Sequence, residues 1–401
     1  MYCTRKVTDS VTWVGAEDRR LALFENLFPI PRGVSYNSYL ILDEKTAVLD
    51  TVDAAVTRQY LENVAHTLDG RSLDYLVVNH MEPDHCACIE QLAARYPAMK
   101  VVGNAKTFAL IRQFYGDDFA ARRVEVKEND TLCLGKHTLH FVFAPMVHWP
   151  EVMMAYEDSE KLLFSADAFG TFGALNGNLF DDEITFDAAW MDDARRYYGN
   201  IVGKYGAPVQ AALKKLAGVD VKAICPLHGP VWRSNIPWLL ETYDKWSRYE
   251  PEERAVAVLY ASMYGNTENA ANILAARLGE KGVKNIRLHD VSGTHVSELI
   301  GEVFRCSHLV LAAPTYNNGL YPAMANFLHD MQALALNSRT VGLIGNGSWA
   351  PVSAKKMEEM LAAMKNMTVL QPVVTLKSAL DADNLARLDA LAEALAADLA
   401  R

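Results

Sequence analysis

The sequence predicts an α/β protein in two parts, the second a doubly wound parallel sheet of five strands. Three observations predict this. The chain has 401 residues and 50% hydrophobic composition, enough for two separate cores. The segment Trp246 to Arg254 (Trp-Ser-Arg-Tyr-Glu-Pro-Glu-Glu-Arg) is charged, contains Pro251 and interrupts the patterning, as a linker does. Beyond it, apolar strands alternate with amphipathic helices for about 150 residues, the usual extent of one doubly wound sheet. The expected domains are therefore 1–250 and 251–401.

Before the linker, short apolar or β-branched runs predict strands at Ser38 to Leu42, Ala47 to Leu49, Leu73 to Asn79, Val101 to Val102, Thr138 to Phe143, Leu162 to Ser165 and Val221 to Cys225. Many of these end at a polar residue. After the linker, strands are expected at Ala255 to Tyr260, Asn285 to Leu288, His308 to Ala313, Thr340 to Ile344 and Thr368 to Val374. Helices are expected between and after them, at Glu268 to Lys281, Val296 to Val303, Ala323 to Leu334, Ala354 to Met364 and Asp381 to Ala400. No repeat relates the halves, and no tract is of low complexity.

The net charge of −10 argues against nucleic acid as the main partner, because phosphate binding needs a basic footprint. The first twenty residues contain no apolar leader core, and no apolar run reaches the roughly 18 residues a spanning helix needs, so neither membrane insertion nor export is expected. A cytoplasmic protein is the expectation. The six cysteines, Cys3, Cys86, Cys88, Cys133, Cys225 and Cys306, show no C-x-x-C spacing of zinc ribbons or rubredoxin-type iron sites. Cys86 and Cys88 flank the cluster described next, but soft thiolates suit hard carboxylate sites poorly, and both are expected to be small buried apolar residues.

His80-Met81-Glu82-Pro83-Asp84-His85 places four metal-ligand types within six residues, directly after a predicted strand. His148, Asp167 and His228 recur downstream, each after an apolar or β-branched segment. A turn after a strand can direct His80 and Glu82 to one metal, and Asp84 and His85 to another. Asp167 has two oxygens and can bridge both ions. Imidazole suits zinc and iron alike, but three carboxylates tilt the set toward redox-active iron.

Ser262-Met263-Tyr264-Gly265-Asn266-Thr267 follows the first strand of the second series and opens a helix. Hydroxyls and backbone N–H groups at such a helix start cradle a phosphate without a cationic side chain. Two more loops fall at strand ends, where a ligand of an open α/β sheet sits: Pro314-Thr315-Tyr316-Asn317-Asn318-Gly319 and Gly345-Asn346-Gly347-Ser348-Trp349-Ala350. Tyr316 and Trp349 are placed to pack on a flat ring system. The G-x-G-x-x-G fingerprint is absent after the first strand, which favours a mononucleotide over NAD.

These residues carry a resemblance. The first set resembles the metallo-β-lactamase pattern His-x-His-x-Asp-His, with Glu82 in place of its second histidine, as in the flavodiiron proteins. The three later loops resemble flavodoxin, and the order of the two parts matches the flavodiiron arrangement over nearly the whole chain. The resemblance implies an αββα sandwich followed by a flavodoxin-like sheet. It implies two non-haem irons, one held by His80, Glu82 and His148, the other by Asp84, His85 and His228, bridged by Asp167, with FMN in the second domain. It further implies reduction of O₂ to water, of NO to N₂O, or both, with electrons from an external donor such as rubredoxin or a reduced deazaflavin.

Because the two sites of one chain would lie too far apart for fast transfer, the resemblance implies a head-to-tail homodimer, alone or as a dimer of dimers. Asp50 matches an aspartate that orients ligands, and Tyr197 resembles a family tyrosine approaching the diiron pocket. Glu25-Asn26 stands where many members carry His-Gly. No rubredoxin or flavin-reductase segment follows the second domain, so the minimal form is expected. Two other classes remain open from the residues: a zinc hydrolase fused to an electron-transfer module, and a flavodoxin-type carrier with a structural N-terminal domain.

Overall fold

The computed structural model describes residues 2–185 and 188–401, and its chain divides into two compact units. One comprises 1–198 and 207–244, the other 199–206 and 245–401. The first unit is built on two sheets. Seven strands, in the order Arg5–Lys6, Val11–Trp13, Tyr39–Leu42, Thr46–Leu49, Tyr75–Val77, Lys100–Gly103 and Arg123–Glu125, form one sheet. Five form the other: Thr131–Cys133, Thr138–Phe143, Met153–Glu157, Leu162–Phe164 and Ala223–Cys225.

Alternation explains how the sheets stack. Tyr39, Ile41, Leu49, Val77 and Val102 of the first sheet share one core with Leu139, Phe141, Met153, Ala155 and Phe164 of the second. Successive strand residues face opposite ways, so Leu40, Val48, Leu76 and Val101 point outward, yet they too are fully buried. Helices cover them, among them Thr57–Leu68 against Tyr39–Leu42 and Ala105–Tyr115 against Lys100–Gly103. This is the αββα sandwich.

The second unit orders its strands Arg287–Asp290, Glu253–Tyr260, Cys306–Tyr316, Thr340–Asn346, then the pair Thr368–Val369 and Val374–Leu376, all parallel. That order, 2-1-3-4-5, is the flavodoxin-like one, and its reversal point lies beside the first strand. Val256, Val258, Val310, Ala312 and Ile344 pack under Asn266–Glu280 and Ala382–Leu399.

Two expectations change here. The strand expected over Thr368 to Val374 is broken in two, because Pro372 has no N–H for the ladder. The segment expected as a linker is in part the end of the helix Ile236–Ser247, and Trp246 is buried, its Nε1 donating to Glu252 at 2.7 Å. Its charged neighbours hid an apolar anchor. No helix among the described residues is long and apolar enough to cross a membrane.

Candidate metal centre and flavin cavity

Three of the candidate ligands stand just beyond a strand, where the ladder ends and the chain must turn. His80 follows Tyr75–Val77, Asp167 follows Leu162–Phe164, and His228 follows Ala223–Cys225. Asp84 and His85 lie on the single turn Pro83–Cys86, with Pro83 at its first position, which the lost N–H tolerates. His148 sits in the loop between Thr138–Phe143 and Met153–Glu157.

The seven side chains converge as two groups. In the first, His80 Nε2 lies 3.3 Å from Glu82 Oε2 and 3.2 Å from Asp167 Oδ2, and His148 Nε2 is 3.1 Å from each of those oxygens. In the second, His85 Nε2 and His228 Nε2 lie 3.3 and 3.2 Å from Asp84 Oδ2. Asp167 turns its other oxygen, Oδ1, to within 3.2 Å of His85 Nε2. One carboxylate thus serves both groups.

The donor set fits two cations. His85 Nε2 and His228 Nε2 face each other 3.0 Å apart, both beside Asp84 Oδ2 and Asp167 Oδ1. Both oxygens of Asp84 and Oδ1 of Asp167 are buried without a hydrogen-bond partner among the described residues. Burial alone would lower the pKa values of His80, His85 and His148, but the carboxylates outweigh it and raise all three, Asp167 foremost at His80 and His148 and Asp84 foremost at His85. Conversely, burial would raise Glu82 and Asp167, yet the surrounding imidazoles hold both well below the usual carboxylate range. The pocket is built to hold positive charge.

Asp50 does not enter either group. Its carboxylate accepts from the backbone N–H groups of Asn79 and His80, at 2.7 and 3.1 Å, and from Asn79 Nδ2 at 2.9 Å, so it fixes the turn that aims His80. Burial pushes its pKa up to about 6. Tyr197, on Ala188–Tyr197, is wholly buried with its hydroxyl unpartnered among the described residues, and its ring stands 5.5 Å from that of His228. Burial, then Asp167, raises its pKa far above the phenol value, so it stays protonated. Cys86 is buried against the Met81 carbonyl at 3.2 Å, and Cys88 is buried too; neither belongs to the donor groups.

Glu25 is an exposed residue, yet its carboxyl shares a hydrogen bond with Glu82 and is pushed up to about 8, by desolvation and then by the Glu82 charge. Sequence reasoning missed Glu151, wholly buried, which accepts from His80 Nδ1 at 2.9 Å. It also missed Phe24 and Tyr36, whose rings stand 5.3 and 5.8 Å from His228. Position just after His148-Trp149-Pro150 was the only available signal for Glu151.

At the strand ends of the second unit lies a cavity of about 680 Å³, lined from all three expected loops. That volume suits a mononucleotide-sized ligand. Asn266–Glu280 starts after Gly265, whose φ of +86° needs glycine and whose missing side chain leaves the first-turn N–H groups uncapped. Such an end fits a phosphate. Tyr264 and Trp349, at the rim, are 90% and 89% exposed, so nothing in their own unit covers them.

Of the expected loop residues, Gly265, Gly319 and Gly345 do not line the cavity. A Cβ on Gly345 would come within 2.8 Å of the Ala354 backbone nitrogen, so this glycine serves close packing of the following helix rather than ligand contact. Ser378 lines the cavity from a fourth loop that the sequence did not suggest. Asn346 ties that loop in: its Nδ2 donates to the Ser378 carbonyl at 2.9 Å and Thr267 Oγ1 at 3.3 Å, and its Oδ1 accepts from Ser378 N at 3.0 Å.

Sandwich, paired donor groups and flavodoxin-like cavity together define a metallo-β-lactamase-like protein joined to a flavodoxin-like one. Residues 34–229 match the family described as ODP family beta lactamase, and 258–397 match flavodoxin. The chain is 31% identical to the nitric oxide reductase of Moorella thermoacetica over 98% of both chains. It is also 31% identical to the anaerobic nitric oxide reductase flavorubredoxin of Aliivibrio salmonicida, over 86% of this chain and 70% of that one. The rubredoxin oxygen:oxidoreductase of Desulfovibrio gigas superposes with a TM-score of 0.91 at 29% identity, covering 99% of both chains. The flavodiiron protein of Giardia intestinalis gives 0.90 at 25% identity, over 100% of this chain and 99% of that one. The chain belongs to the flavodiiron proteins.

Proposed function

We propose that this chain is a diiron flavoprotein oxidoreductase that reduces O₂ to water, NO to N₂O, or both, fed by an external donor through FMN. The observation that carries the reading is Asp167, which divides its two oxygens between the two donor groups. His80, Glu82 and His148 would hold one iron, Asp84, His85 and His228 the other. Iron is favoured over zinc because three carboxylates and no thiolate make up the set with the histidines. The names of the Moorella and Desulfovibrio relatives cover NO and O₂ respectively.

When bound, two irons and FMN supply four electrons, the number that takes O₂ with four protons to two waters; two NO need two electrons and two protons for N₂O and water. The chain supplies placement and a dry pocket. Phe24, Tyr36 and Tyr197 ring His228, and Phe172 packs on Phe24 and Tyr197 at 5.4 and 5.2 Å, keeping bulk water from the second group. The protonated Tyr197 hydroxyl offers a hydrogen-bond donor inside that ring. In the flavodoxin-like domain, the loops Ser262 to Thr267, Pro314 to Gly319 and Gly345 to Ala350 would enclose FMN, with Tyr316 and Trp349 beside its ring.

The donor is assigned to a rubredoxin-like protein or a reduced deazaflavin, and the assembly to a head-to-tail homodimer in the cytoplasm. Family membership supports these assignments, and the fully solvated rim aromatics Tyr264 and Trp349 accord with a second chain near the flavin. The test is Glu82→Ala. It is expected to lose one of two metal equivalents and both gas activities while keeping its flavin. Full turnover in this variant, or zinc as the native metal, would overturn the reading; rates for O₂ and NO with one common reductant then choose between substrates.

A further inference from the structure

Imidazoles that aim Nε2 at a metal present Nδ1 to the surrounding protein, and what Nδ1 meets differs sharply between the two groups. His80 Nδ1 donates to Oε1 of Glu151 at 2.9 Å, and the Met81 backbone N–H donates to the same oxygen at 2.8 Å. Glu151 is 1% exposed, and its main-chain carbonyl accepts from Asn104 Nδ2 at 2.6 Å, so the residue is held at both ends. Asn104 in turn caps Ala105–Tyr115. In the second group, His228 Nδ1 meets only a neutral acceptor, the Ser35 carbonyl, at 2.7 Å. His85 Nδ1 is buried with no partner among the described residues.

A buried carboxylate polarises an imidazole N–H more strongly than a carbonyl does, and raises the basicity of the opposite nitrogen. We propose that Glu151 is a positioning and tuning residue that makes the His80, Glu82 and His148 site the tighter of the two metal sites and the one that favours the more oxidised ion. The inference rests on the dinuclear reading of the preceding section and adds an inequivalence that the pairing of ligands alone does not contain.

The test is graded extraction of metal from the full-length holoprotein with a chelator, following metal equivalents per chain. Glu151→Gln keeps the acceptor oxygen and the volume while removing the charge. One equivalent is expected to leave at a chelator concentration about 10–100-fold lower than in wild type, while the other keeps its midpoint. Wild-type behaviour of both equivalents, or an equal shift of both, would overturn the inference while leaving the dinuclear reading intact. A wild-type chain that never holds two equivalents would remove the reading and the inference together. Should Glu151→Gln not fold, Glu151→Asp decides: it keeps the charge but withdraws the oxygen by one methylene, and the same single equivalent is expected to weaken.

Discussion

His148 shows at the scale of one residue what the pocket does with its charge. Burial by itself would lower its pKa, but the hydrogen bonds it donates to Asp167 and Glu82 win and push it up to about 9. A metal binds the neutral ring, so uptake must expel that proton. Below about 9 the proton competes with the metal. Affinity of the metal-free chain is therefore predicted to rise with pH through the neutral range, by about tenfold per pH unit for each proton displaced. Calorimetric titration in buffers of different pH measures this directly, and a pH-independent affinity would count against the ligand role of His148. The same residue scale separates what the sequence tells from what it hides. Glu82 and Asp84 are legible because they sit inside one hexapeptide, whereas Glu151 reaches His80 across 71 positions and only the folded chain brings them together.

At the scale of elements, the site is made of strand ends. The strands Tyr75–Val77, Leu162–Phe164 and Ala223–Cys225 are only three residues each, yet their apolar runs are readable and the polar residue just beyond each marks the pocket. The two- and three-residue strands of the first 36 residues carry no such pattern; Leu23–Phe24 and Phe28–Pro29 are too short for a period to show. That is why Phe24, beside His228, was not foreseen. In the second domain the alternation of strands and helices is long enough to fix the sheet, and the three loops follow from it. The fourth, at Ser378, depends on Asn346, whose amide joins the loops of Thr267 and Ser378. Asn346→Ala removes bonds worth about 1 kcal/mol each. Flavin affinity is predicted to fall by roughly tenfold to a hundredfold, since the three bonds together are worth about 3 kcal/mol and about 1.4 kcal/mol is one decade. Fluorescence titration of the flavin-free chain with FMN checks it, and unchanged affinity would mean the fourth loop does not bear on the cavity.

At the scale of the whole molecule, the two compact units interleave in sequence. The charged stretch around Pro251 has the composition of a linker, but residues from Lys245 onward belong with the flavodoxin-like unit. Arg339, wholly buried, donates Nη1 to the Tyr249 carbonyl at 2.7 Å, and Trp246 is buried against Glu252. A fragment beginning at Lys245 is therefore predicted to be more stable than one beginning at Pro251, by at least the roughly 1 kcal/mol that the lost Arg339–Tyr249 hydrogen bond contributes. Urea midpoints of the two fragments measure the difference, and equal midpoints would place the boundary at Pro251.

The claim that binds both units is that electrons held by a flavin in one are spent on a small gas at the paired donor groups of the other. Gas uptake by the anaerobically reduced full-length protein, offered O₂ and NO in turn, tests this most directly. The account predicts that at least one gas is consumed cleanly, O₂ to water without peroxide or NO to N₂O. Peroxide as the product from O₂, together with no N₂O from NO, would contradict it.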